Sequence, residues 1–234
     1  SLDGKKIPIS IIKRKNTPKN APTLLYGYGS YGISIPPSFS ASRLSLIDRG
    51  MVYAIAHIRG GMEKGKKWYE DGKKRKKLNS FNDFISCAKF LKKENISGNI
   101  SIHGGSAGGL LIGASLNISP DTFHCAVAEV PFVDVLNTIL DETLPLTPPE
   151  WEEWGNPIKN RSDYDYIRSY SPYDNIKKQS YPAILATSGL TDPRVTYWEA
   201  TKWIAKLRNK KIDDNPIFLK TSPEAGHGGL AGRY

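Results

Sequence analysis

Residues 100–109, Ile-Ser-Ile-His-Gly-Gly-Ser-Ala-Gly-Gly, leave this chain little choice of architecture. They read as a short strand, a Gly-x-Ser-x-Gly turn, and then an apolar run, Leu110 to Leu116, that starts a helix. That context turns a common pentapeptide into a nucleophile elbow. Strand and helix pack closely there, so a Cβ at Gly104 or Gly108 would collide, and Ser106 sits on a strained turn. The turn holds the Ser106 hydroxyl clear of the backbone, at a helix N-terminus whose free N–H groups favour developing negative charge. The plain alternative is a glycine-rich strand–helix turn with a capping serine. Correct flanks on both sides favour the nucleophile.

The rest of the chain supplies the matching frame. Strand-like runs at Ile7–Ile12, Thr23–Tyr26, Met51–Ile58, Cys125–Val130, Ala183–Thr187 and Pro216–Lys220 alternate with helical patterns at Ser42–Asp48, from about Ser80, and at Tyr197–Leu207. Such alternation predicts an α/β fold, a mostly parallel twisted sheet with helices on both faces. The segment Asp134 to Ser180 is Pro-rich, polar and aromatic, an insertion of the kind that sits over strand ends where ligands bind. The 234 residues suffice for one domain with a substantial core, and no internal repeat or linker divides them.

The formal net charge of +10 is concentrated in Lys64 to Lys77. A nucleic-acid or membrane patch is one reading of that segment, a solvated loop the other. Trp68 and Tyr69 do not alternate with the basic residues as a stacking platform would, so neither nucleic acid nor membrane is expected as a partner. No apolar run is long enough to span a bilayer. Two cysteines, Cys87 and Cys125, fall in apolar patterns and read as buried thiols, which favours a reducing, cytoplasmic setting. No Cys/His cluster has ligand spacing, so neither metal nor cofactor is expected.

A serine hydroxyl needs a base, and the base needs an orienting group. Of four histidines, His57, His103 and His124 sit in or beside strands and read as packing or hydrogen-bonding residues. His227 follows the last strand in Gly226-His227-Gly228-Gly229, where an imidazole is free to reach across the sheet's carboxyl edge. Asp192, in the loop after the strand ending at Thr187, fits the carboxylate; taken alone it reads equally as a turn residue before Pro193. The order Ser106, Asp192, His227 is that of the α/β-hydrolase fold. The Ala107 backbone N–H is one expected oxyanion donor, and the loop Gly27-Tyr28-Gly29 offers a tyrosine hydroxyl as a second.

Four segments together resemble the prolyl oligopeptidase family of serine peptidases: Leu25-Tyr26-Gly27-Tyr28-Gly29, Ile58-Arg59-Gly60-Gly61, the elbow, and Ala225-Gly226-His227-Gly228-Gly229. Glu129–Val135 and Glu150-Trp151-Glu152-Glu153-Trp154-Gly155-Asn156-Pro157 resemble its oligopeptidase B branch. The resemblance implies Tyr28 as the hydroxyl of the oxyanion hole and Arg194 as a ligand of a substrate backbone carbonyl. It implies Glu150, supported by Glu152, as the carboxylate that recognises a substrate Arg or Lys. Tyr31, in the oxyanion loop, joins them as a substrate-binding candidate. Without the resemblance, Glu150–Glu153 would read as first-turn acids of a solvated helix.

The expectation is a serine endopeptidase that cleaves short peptides after Arg or Lys through an acyl-enzyme. A prolyl oligopeptidase, an acylaminoacyl peptidase or esterase, and a non-catalytic binding fragment are the alternatives. Nothing in residues 1–234 corresponds to the family's gating β-propeller or to its final helix, and Met62-Glu63 replaces a usual Gly-Glu. The chain is therefore expected to be a catalytic domain whose partner is a propeller of the same polypeptide, with apolar surface left uncovered.

Overall fold

Apolar runs and amphipathic stretches resolve into one sheet of seven strands among residues 1–229, those the computed structural model describes. In chain order the elements are β1 (Ile9–Ile12), β2 (Ala21–Tyr26), α1 (Ala41–Asp48), β3 (Val52–Ala56), α2 (Lys66–Glu70), α3 (Leu78–Lys93), β4 (Ser97–Gly105) and α4 (Ala107–Ile118). There follow β5 (Cys125–Glu129), α5 (Val135–Leu140), α6 (Thr147–Trp154), α7 (Arg161–Tyr170), β6 (Ala183–Gly189), α8 (Tyr197–Lys210) and β7 (Ile217–Ser222). The strand order is β1-β3-β2-β4-β5-β6-β7. Strand β1 runs antiparallel to β3, and every other pairing is parallel.

Right-handed crossovers decide where the helices go. The step from β2 back to β3 places α1 on one face, and the forward steps place α3, α4 and α8 on the other. This is the expected α/β-hydrolase arrangement. Helix α4 is apolar all round, and it is buried over almost its whole length against β4, β5 and α3. Leu110, Leu111, Ile112 and Leu116 are each at most 1% exposed, and burying such a side chain is worth roughly 1.5–3 kcal/mol. The α1 face is open at β6 and β7, where Leu185 and Phe218 are 37% and 59% exposed. Apolar surface is exposed there among the described residues.

Three local expectations need correction. The basic segment is solvated at Lys66 and Lys67 but is not a loop: it forms α2 and a short 3-10 turn at Lys74–Lys76, and Lys77 is only 1% exposed. Cys87 is buried but Cys125 is half-buried, its thiol donating to Ser101 Oγ at 3.0 Å. His124 is exposed rather than packed. The Ile58-Arg59-Gly60-Gly61 motif is structural. Arg59 donates from Nε and Nη2 to the buried Asp83 at 2.8 and 2.6 Å, which locks the end of β3 to α3.

Gly104 shows how tightly β4 and α4 approach. A Cβ there would stand 2.5 Å from the Gly108 carbonyl oxygen, which is backbone and cannot swing aside. A Cβ at Gly108 meets milder resistance, 3.1 Å from the Gly27 oxygen. Gly104→Ala is expected to cost about 2 kcal/mol. Urea denaturation of both forms checks this, and an unchanged midpoint would refute the close-packing argument.

Candidate active site

The turn after β4 carries the nucleophile candidate in a strained conformation. Ser106 has φ 56° and ψ −121°, in the left-handed half of backbone space that a side chain rarely adopts. Its carbonyl accepts from Phe132 N at 3.0 Å and Gly109 N at 2.8 Å, and its own N–H donates to the Glu129 carbonyl at 2.9 Å. Two other non-glycine residues near it also have positive φ, Tyr31 at 59° and Val130 at 39°. Strain therefore gathers around one point, and for the β-branched Val130 it is a true outlier.

Three side chains distant in sequence meet there. His227 Nε2 lies 3.0 Å from Ser106 Oγ, and His227 Nδ1 lies 2.8 Å from Asp192 Oδ2. The Asp192 carboxylate has no exposed side-chain surface, whereas His227 is partly open. Its second oxygen, Oδ1, accepts from Arg194 N at 2.8 Å and Val195 N at 3.0 Å, so the carboxylate cannot rotate away. The loops carrying Asp192 and His227 are pinned together. Leu190 N donates to the Ser222 carbonyl at 3.0 Å, and Thr191 Oγ1 to the Ala225 carbonyl at 3.0 Å. Gly189 permits this, since a Cβ there would be 2.2 Å from that same Ala225 oxygen.

Tyr28 packs its ring against Gly108 in the first turn of α4. Burial pushes its hydroxyl up to about 12, so it keeps its proton and stays a donor through the neutral range. Ala107, the first residue of α4, lines the same cavity as Ser106. Its N–H is among those a helix leaves without an intrahelical acceptor.

The cavity extends from Ser106 to Glu150, with Tyr31, Phe132 and Arg194 also on its walls. Glu150 Oε2 accepts from Tyr31 Oη at 2.9 Å and from Trp154 Nε1 at 2.6 Å. Burial raises the Glu150 carboxyl above its ordinary range, as it must for an acid facing aromatic rings without a cation beside it. Glu152 does not join it: its side chain is 88% exposed and pairs with Lys74 at 3.2 Å. The carboxylate beside Glu150 is instead Glu153, buried, accepting from Tyr31 N at 3.0 Å and from Tyr69 Oη at 2.6 Å. Helical geometry explains the exchange, because Glu150 and Glu153 stand at i and i+3 on one face of α6 while Glu152 points elsewhere.

Lys77 is buried beside Trp154, behind this group. Its ammonium donates to the Gly29 carbonyl at 2.5 Å and to Ser30 Oγ at 2.8 Å, and lies 5.0 Å from the Trp154 ring centre. Burial lowers it to about 8, and Glu153 acts in the opposite direction. Composition gave no sign of this role. Of the other histidines, His57 is hydrogen-bonded to Ser10 Oγ at 2.8 Å, and His103 Nε2 stands within ion-pair distance of Glu129, at 3.2 Å. Among the described residues no group of His, Cys, Asp and Glu could hold a metal ion, and no helix is long and apolar enough to cross a membrane.

Residues 37–234 match the Prolyl oligopeptidase family. The chain belongs to that family. It is 49% identical to dipeptidyl aminopeptidase BI of Pseudoxanthomonas mexicana, over 99% of this chain and 33% of the relative. It is 47% identical to Protease 2 of Moraxella lacunata, over 99% of this chain and 34% of that protein. Among solved structures, oligopeptidase B from Trypanosoma brucei with covalently bound antipain, in the closed form, superposes with a TM-score of 0.94 at 52% identity. That alignment covers 97% of this chain and 32% of the other. The chain thus spans about a third of the length of these relatives.

In a hydrolase of this geometry, the role expected of Asp192 is to fix the imidazole tautomer. Asp192→Asn would keep the shape but reverse the hydrogen bond, and turnover is expected to fall roughly 10³–10⁴-fold. Steady-state kinetics with a chromogenic peptide measure this, and a loss below tenfold would remove Asp192 from the role.

Proposed function

We propose that this domain is the catalytic part of a serine endopeptidase that hydrolyses short peptides after Arg or Lys. The observation that carries the reading is one cavity lined both by Ser106, hydrogen-bonded to His227, and by the half-buried carboxylate of Glu150. A basic side chain seated against Glu150 would gain a charge-assisted hydrogen bond away from bulk water and present the following peptide bond to the serine.

The steps follow from that placement. His227 Nε2 takes the Ser106 proton as Oγ attacks the carbonyl carbon, while Asp192 stabilises the imidazolium. The oxyanion draws on the Ala107 N–H and the Tyr28 hydroxyl. His227 then protonates the leaving amine, the C–N bond breaks, and water, deprotonated by the same imidazole, releases the acyl group. Arg194, exposed on the cavity wall, holds a substrate backbone carbonyl. Glu153 and Tyr31 set the orientation of Glu150. The rest of the polypeptide is proposed to supply a β-propeller that admits short peptides only, in agreement with the share of the relatives that this chain spans. A cytoplasmic setting is proposed from the two unpaired thiols.

The relative named dipeptidyl aminopeptidase BI supplies a second reading, release of dipeptides from a free amino end. An N-terminally blocked Arg substrate separates the two, because only an endopeptidase cleaves it. Faster cleavage after Pro than after Arg or Lys would instead favour a prolyl oligopeptidase. In the full-length protein, a fluorophosphonate is expected to label Ser106, and Ser106→Ala to abolish both labelling and turnover. Full activity in that variant would end the serine mechanism. Glu150→Ala is expected to lower kcat/KM for Arg and Lys substrates roughly 10²-fold, or about 2–3 kcal/mol, with little change for an uncharged ester. Equal losses on both substrates would refute the specificity assignment.

A further inference from the structure

Glu199 stands on the first turn of α8, only 1% exposed, with no basic side chain within ion-pair distance among the described residues. It also lines the cavity that holds Ser106 and Glu150. A buried acid without a partner cation carries a large desolvation cost, so its hydrogen bonds identify what it does. Its Oε2 accepts from Val133 N and Asp134 N, both at 2.9 Å, and its Oε1 accepts from Thr138 Oγ1 at 2.8 Å. All three donors lie at the start of α5, in the segment that contributes Phe132 and Thr138 to the cavity wall.

These contacts close a ring around the cavity. Phe132 N donates to the Ser106 carbonyl at 3.0 Å, which fixes one end of the segment to the elbow. Glu199 fixes the other end to α8. That helix in turn begins just after Val195, whose N–H holds Asp192 Oδ1 at 3.0 Å. We propose that Glu199 is a positioning residue: its carboxylate holds the 132–138 wall of the substrate cavity in register with Ser106 and Asp192. It touches no reacting atom in this scheme, and the proposal rests on the peptidase reading given above.

The charges facing it are consistent with an acceptor role. Asp134, buried at the N-terminus of α5, and Lys202, one turn further along α8, are the charged groups around it, and they pair with each other. Burial first, and then the neighbouring Asp134 charge, raise Glu199 to about 7, while the three hydrogen bonds act in the opposite direction. A leucine at this position would avoid the desolvation cost but would strand the Val133 and Asp134 N–H groups. A glutamine would not, because its carbonyl accepts both and its NH₂ meets Thr138 Oγ1 with the hydroxyl turned to accept.

The test uses the full-length chain, a blocked Arg chromogenic peptide and a small fluorophosphonate. Glu199→Leu is expected to raise KM roughly tenfold, with kcat and the rate of Ser106 labelling changed less than about threefold. Glu199→Gln is expected to restore KM to within about twofold of the parent. An unchanged KM in Glu199→Leu overturns the proposal, as does a parallel fall of kcat and labelling, which would mark a general structural role. If Glu199→Leu does not fold, Thr138→Val decides: a raised KM with normal labelling supports the positioning role, and an unchanged KM refutes it. A parent enzyme that leaves Ser106 unlabelled refutes the peptidase reading itself, whereas labelled Ser106 with an unmoved Glu199→Leu refutes only this inference.

Discussion

The close approach of β4 to α4 around a serine at φ 56° governs the rest of this domain. A turn that sharp ties up the Ser106 carbonyl with three backbone donors and leaves the side chain projecting over the carboxyl edge of the sheet. It requires glycine where strand and helix touch, and an apolar helix behind it. Holding a residue in that region costs of order 1–3 kcal/mol, and the buried face of α4 more than offsets this. Moving the serine even slightly would break its line with His227, because both partner loops are themselves fixed by backbone hydrogen bonds and by the near contact at Gly189.

Charge is handled by a different device on the cavity side. Glu150, Glu153 and Lys77 are set among Tyr31, Tyr69 and Trp154, so that each carboxylate takes two hydrogen bonds and the ammonium lies over an aromatic ring. Glu150 is the member of this group whose carboxyl burial pushes up on the cavity wall, and an entering cation would reverse that cost. A site that is electrostatically unfavourable when empty gains more from a basic ligand than a solvated carboxylate would. Glu199 does similar work on the opposite wall, spending a buried charge to organise backbone donors.

Much of this was legible from residue order. Ser106, Asp192 and His227 could be selected because a nucleophile elbow demands a base and an orienter at later strand ends, and few candidates were present. Where the reading failed, the reason was three-dimensional. Glu152 is implied by the family resemblance, which carries no information about the helical face, and that face puts residues three apart, Glu150 and Glu153, together. Lys77 was lost in a basic run whose composition implies solvent, yet one turn of helix carries it beneath Trp154. Cys125 lies in an apolar strand, but the strand's alternation brings it partly to the surface.

The amino-acid order alone pointed to the seven strands, to the parallel α/β class and to Ser106, Asp192 and His227 as the candidate nucleophile, orienter and base, because the elements follow from local sterics and from periodicities of two and of 3.6. Which carboxylate faces the cavity, which lysine is buried and which acid braces the pocket wall were decided only by tertiary packing. Those outcomes depend on the angle at which α6 and α8 cross the strand ends, and no local pattern encodes that angle.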